Sequence, residues 1–154
     1  MPDSRAEALD LGRLSIRSRR LADRLFAVLP DLRAAASMEG CTPEGWSLRV
    51  EAPSPTGDSE RTLIISMEDD APMVEFAGWH GHGTRRLSDA AERRFVALVE
   101  AIVRDRFVVA IDVGGEHDGH RWPVDLRSEE LVPAGTSTVR VVSWRGTADL
   151  GPPA

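Results

Sequence analysis

Three short strand candidates, joined by connections too brief to cross over a sheet, most restrict what this chain can fold into. In Trp46–Ala52 the residues Trp46, Leu48 and Val50 fall on one face. Thr62–Glu68 follows the turn-rich segment Pro53–Asp58, and Met73–Trp79 follows the tight turn Asp69–Pro72. A parallel crossover needs a dozen or more residues, so these neighbours are predicted to pair antiparallel, as a meander.

Helical spacing flanks them. A helix is predicted from Arg5 to Leu29, with Ser4 and Glu7 as a capping box, Pro30 as the stop, and Leu11, Leu14, Leu21, Leu25 and Val28 as the apolar face. Arg13, Arg17, Arg20 and Arg24 form a stripe beside it. The stripe reads as a solvated face whose arginine stems cover the core edge, with contact to an anionic partner as the other reading. Asp31–Ser37 adds a helical turn and Met38–Gly45 a loop. Ser88 or Asp89 opens a second helix, with Glu92 placed for a capping box to Asp89. Ala91, Phe95, Leu98, Val99 and Ile102 bury one side, while Arg93, Arg94, Glu100 and Arg104 face water. Phe107–Val113, dense in β-branched residues, reads as a central strand. His120–Leu126 reads as a shorter one that Pro123 confines to an edge or interrupts, and Ser137–Trp144 as the last. The expected fold is therefore α+β, in the order α-β-β-β-α-β-β-β. It is one domain over residues 1–145, a mostly antiparallel sheet of about six strands with helices packed on one face, and a mobile tail over 146–154.

Charge narrows the function. The net charge is −6, which argues against generic nucleic-acid binding and favours a basic partner. All 19 basic residues are arginine; lysine, asparagine and tyrosine, whose codons are AT-rich, are absent. The arginines thus reflect a GC-rich, bacterial genome rather than a nucleic-acid footprint. The apolar stretch Phe107–Ile111 is five residues long, far below a membrane span. Arg13, Arg17, Arg19 and Arg20 interrupt the N-terminal segment where a secretory leader needs an apolar core. With Cys41 alone and no internal disulfide possible, a cytoplasmic location is expected.

Chemistry concentrates in two glycine-rich clusters that hold all four histidines, Gly78–Gly83 with His80 and His82, and His117–His120. Trp79 and Trp122 accompany them. Imidazole is both a common metal ligand and an acid–base group. If the third strand runs on past Trp79, His80 and His82 share the face of Val74 and Phe76. His117 and His120, with Asp112 or Asp118, would supply further ligands to a divalent transition metal such as zinc, nickel or iron. The plainer expectation is that these are strand-end or loop histidines bonded to backbone, and that the chain needs no cofactor. Trp79, Trp122, Arg85 and Arg86 are the candidate pocket residues. Other motifs fail: the glycine-rich loop before Ser88 has no P-loop lysine, no Gly-x-Ser-x-Gly elbow is present, the acids near Asp112 lack EF-hand spacing, and nothing marks Cys41 as a nucleophile.

The run Met73–His82, with its Gly-Trp-His-Gly-His ending, followed by the helix at Ser88–Asp105 and the strand Phe107–Val113, resembles small bacterial immunity-type proteins of polymorphic toxin systems. The resemblance covers roughly residues 46 to 125, and departs at Gly83, where an aromatic residue would be expected. It implies a cytoplasmic protein that binds and blocks a toxin domain without catalysis. The acidic runs Glu68–Asp70 and Glu129–Glu130 suit such a role. The expected function is thus a non-enzymatic binding protein with a protein partner. The alternatives are a metal-binding protein or metal-dependent enzyme built on the four histidines, and an accessory α+β domain that forms a homodimer through an edge strand.

Overall fold

The computed structural model describes residues 7–128 and 138–151. The fold is α+β, and its strands divide between two antiparallel sheets rather than forming one. Six strands run in chain order across the first: β1 (Glu7–Ala8), β2 (Ala36–Thr42), β3 (Gly45–Ala52), β4 (Leu63–Glu68), β5 (Ala71–Phe76) and β6 (Trp79–His82). The second has β7 (Phe107–Val113) at its centre between β8 (Arg121–Asp125) and β9 (Thr138–Val142). The helices are α1 (Ile16–Val28) and α2 (Asp89–Val103). No helix among the described residues is long and apolar enough to cross a membrane.

The chain resolves into two compact units. Of the described residues, the first takes in those up to Ala52, Leu63–Glu75 and His80–Glu100; the second takes in Pro53–Thr62, Phe76–Trp79 and those from Ala101 on.

In the first unit α1 lies against β3. Ser18, Leu21, Ala22 and Leu25, at i, i+3, i+4 and i+7, are its buried face. Together with Met38, Leu48, Val50, Leu63, Ile65 and Val74 they build the core, each large apolar side chain contributing about 1.5–3 kcal/mol by leaving water. β3 pairs with β4 only over Val50–Ala52. Leu48 lies before that segment, and its N–H donates instead to the buried Ser18 hydroxyl (3.0 Å).

The helix predicted from Arg5 begins eleven residues later, at Ile16. Ser15 caps it, accepting from the Ser18 N–H, while Leu14 and Ser15 are drawn into a parallel bridge to Trp46. Gly45 permits that approach, because a Cβ there would stand 2.8 Å from the Ser15 nitrogen. Ser4, the expected cap, lies outside the described residues. Val28, expected on the apolar face, is 41% exposed. The loop expected at Met38–Gly45 is mostly β2, whose Met38 is fully buried opposite Leu48.

The arginine stripe is engaged within the molecule. Arg20 and Arg24 both fork onto Asp89 and Glu92 at the start of α2, with contacts of 2.6–2.9 Å. Arg17 donates to the Arg85 carbonyl, and Arg13 pairs with Glu7 and lies over the Trp46 ring. Asp89 and Glu92 are thus ion-pair partners, and Ser88 is the residue whose hydroxyl caps α2, accepting from the Ala91 N–H (3.1 Å).

In the second unit both faces of β7 are buried: Val108 and Ala110 on one, Val109 and Ile111 on the other. The first pair packs with Val124 and Val141, under Trp122, Val139 and Ala148. Pro123 sits on the edge strand β8, opposite Val109, where its missing N–H costs no ladder bond. Ser137, where the last strand was expected to begin, lies outside the described residues. Buried Asp105, in the left-handed region after α2, accepts from the Arg145 and Thr147 amides and the Thr147 hydroxyl.

Much of the expected mobile tail is anchored. Leu150 exchanges two backbone hydrogen bonds with Val141, and Asp149 binds both Ser143 and Arg61. Arg61 also donates to the Ser143 carbonyl, and the Ser54 hydroxyl to that of Trp144 (2.6 Å). Residues 152–154 lie outside the described residues.

Candidate functional site

Two two-residue turns shape the first histidine cluster. Asp69 and Asp70 join β4 to β5, and Ala77 and Gly78 join β5 to β6; all four have positive φ, the requirement of a type I′ hairpin turn. The strand expected over Met73–Trp79 is therefore broken. Arg121 helps hold the break, donating to the Ala77 carbonyl (2.6 Å) with its guanidinium against Gly78, where a Cβ would meet it at 3.0 Å.

The turn reverses the expected facing of the histidines. With two residues in the turn, and the Gly83 N–H donating to the Pro72 carbonyl (2.7 Å), Glu75 stands opposite His80 and Met73 opposite His82. His80 and His82 are accordingly exposed, on the face of exposed Glu75, while Val74 and Phe76 point the other way into the core. The two imidazoles lie edge to face with ring centroids 5.2 Å apart. His82 Nδ1 is 3.9 Å from Glu68 Oε2, too far for a hydrogen bond. Trp79 is half-buried against Phe107, centroids 5.0 Å apart.

The second cluster is a loop closed by its own backbone. Asp118 accepts from the Gly114 N–H (2.7 Å), the His120 N–H donates to the His117 carbonyl, and Asp112 exchanges bonds with His120 and Gly119. Both histidines are exposed, and His120 stacks on half-buried Trp122 with centroids 5.7 Å apart. Asp118 is thus a loop clasp. Asp112 is 2% exposed, and its buried Oδ1 has no hydrogen-bond partner among the described residues.

Arg85 reaches Asp69 at 3.4 Å, both well exposed. Arg86 helps line a cavity of about 20 Å³, room for one water, with Arg17, Leu21, Leu87 and Glu92. A larger apolar groove of about 370 Å³, which the sequence reading missed, runs along Ala27, Val28, Val96 and Ala97. Its signal was the small residues Ala27 and Ala97 beside the exposed Val28. Among the described residues, no group of three or more His, Cys, Asp or Glu side chains stands ready to hold a metal ion. Comparison with protein-family models, with curated proteins and with solved structures gave no match.

Proposed function

We propose that this chain is a non-enzymatic, cytoplasmic bacterial protein that binds and neutralises a protein partner with a basic surface, a toxin domain being the class that the resemblance implies. The observation that supports this reading is the acidic end of the first sheet. Glu68, Asp69 and Asp70 are all exposed there, at the β4–β5 turn, and Glu75 is exposed further along β5. Beside them β6 ends the strand order among the described residues, and a sheet edge is the kind of surface another chain can extend. Carboxylates at the rim steer a cationic partner, and the strand edge supplies directional hydrogen bonds. Glu129 and Glu130 lie outside the described residues.

The test is co-expression, without tags, with the product of the neighbouring open reading frame. A one-to-one complex on size exclusion is expected, weakened at least tenfold by the double reversal Glu68→Arg and Asp70→Arg, and loosened by salt. Substrate turnover by the purified chain overturns the reading. So does a concentration-dependent dimer without a heterocomplex, the behaviour of a homodimer paired through an edge strand.

A further inference from the structure

We infer that the apolar groove between α1 and α2 is a contact surface for a second copy of this chain, formed by two-fold, antiparallel pairing of α2 with its counterpart. Its walls are Ala27 and Val28 of α1 and Arg93, Val96, Ala97 and Glu100 of α2, all in the first unit. The two helices run side by side in one direction. Arg20 and Arg24 meet Asp89 and Glu92 at the start of α2, and Ala27 and Val28 reach Val96 and Ala97 further on. Val28 is 41% exposed, with Ala27 and Ala97 exposed beside it, so the groove presents apolar surface to solvent. Alanines at its centre let another helix approach closely, toward the short end of the usual spacing of about 8–10 Å between axes.

The charges beside the groove identify its occupant. Arg24 is already committed to Asp89 and Glu92, which leaves Arg93 and Glu100 flanking the apolar stretch. They stand seven residues apart on one side of α2, with Val96 and Ala97 midway between them. A two-fold axis through that midpoint lays the second α2 antiparallel and sets Arg93 of each copy against Glu100 of the other. Parallel pairing would instead set Arg93 on Arg93. Glu100 also has a contact within its own chain, and a carboxylate accepts from more than one donor. A rim of both signs suits self-association, whereas a basic partner would meet Arg93 with like charge. The contact is small. Seven lining residues are fewer than the roughly 20–30 a side of a stable interface, so a Kd of roughly 10–300 µM is expected.

The self-contact goes beyond the partner reading, and no partner enters its test. Tag-free chain is followed by sedimentation velocity from about 5 µM to about 1 mM. The weight-average mass is expected to climb from one chain toward two. Arg93→Glu and Glu100→Arg should each weaken association about tenfold or more, with urea midpoints close to the parent's. Mixing the two variants in equal amounts should restore it, because every pair across the axis is then of opposite sign. The double variant Arg93→Glu, Glu100→Arg should dimerise as the parent does, and so should the double reversal Glu68→Arg, Asp70→Arg. A monomer throughout that range overturns the inference. So does a dimer indifferent to both single reversals, or one lost in the Glu68, Asp70 variant, which would place the contact at the sheet instead. Single reversals that weaken association without rescue on mixing overturn the antiparallel pairing.

Discussion

On β6 two histidines ride a strand; between β7 and β8 two histidines ride a turn. The difference lies in where positive φ falls. In the first region it is spent before the histidines, at Ala77 and Gly78, and Trp79–His82 then runs extended with its imidazoles aligned. In the second, Gly114, Gly115 and Gly119 take positive φ around His117, so the backbone coils and the hydrogen bonds of the cluster are internal. Similar composition therefore yields a presented pair in one place and a closed loop in the other. A glycine contributes by its dihedral as well as by its neighbours.

Substitution can break this comparison or sharpen it. The largest effect is expected at Gly83, where a Cβ would lie 2.5 Å from the Pro72 ring. Gly83→Ala should cost about 3 kcal/mol in urea unfolding and loosen the hairpin that aligns His80 and His82. In the other region Asp118→Ala should cost about 1 kcal/mol, the worth of the clasp on the exposed Gly114 N–H. His120→Ala should cost about 0.5–1 kcal/mol by uncovering Trp122, and should shift tryptophan emission. His82→Ala, at an exposed position, should change stability by less than about 0.5 kcal/mol; a larger loss would mean that the ring packs as His120 does.

The smallest effect is a pH marker in the second unit. The Glu60 N–H, and then Arg61, hold the Asp58 carboxyl below the usual aspartate range. Its contribution is therefore present above the ordinary aspartate pKa and fades as pH falls through the lowered one. Asp58 is about one-third exposed, so the effect is modest. Asp58→Asn should flatten a little of the acid limb of stability while leaving neutral-pH behaviour nearly unchanged.

β7, α2 and β4 were legible in the sequence because local signals agree there: β-branched density in Phe107–Val113, the Ser88 cap, and the turn residues Asp69–Pro72 that close the apolar run of β4. The histidine face was not. Alternation reads unbroken through Ala77, because alanine rarely takes positive φ, and a contact 44 residues away, from Arg121, helps hold that turn. A two-residue reversal then turns a core-facing pair into a solvent-facing one. The late start of α1 was hidden for a similar reason. Leu11 and Leu14 keep helical spacing, yet the backbone at Leu14 and Ser15 is claimed by Trp46, far along the chain.

The return of Gly146–Gly151 onto β9 has a consequence for synthesis on the ribosome. The first unit draws its last residue from Glu100, whereas the second needs Leu150 on Val141 and Asp149 on Arg61. At about 5–20 residues per second, the 50 residues from 100 to 150 take about 2.5–10 s to emerge. Through that interval Ser54 and Arg61 await Trp144, Ser143 and Asp149, so the first unit can mature while the second is still open.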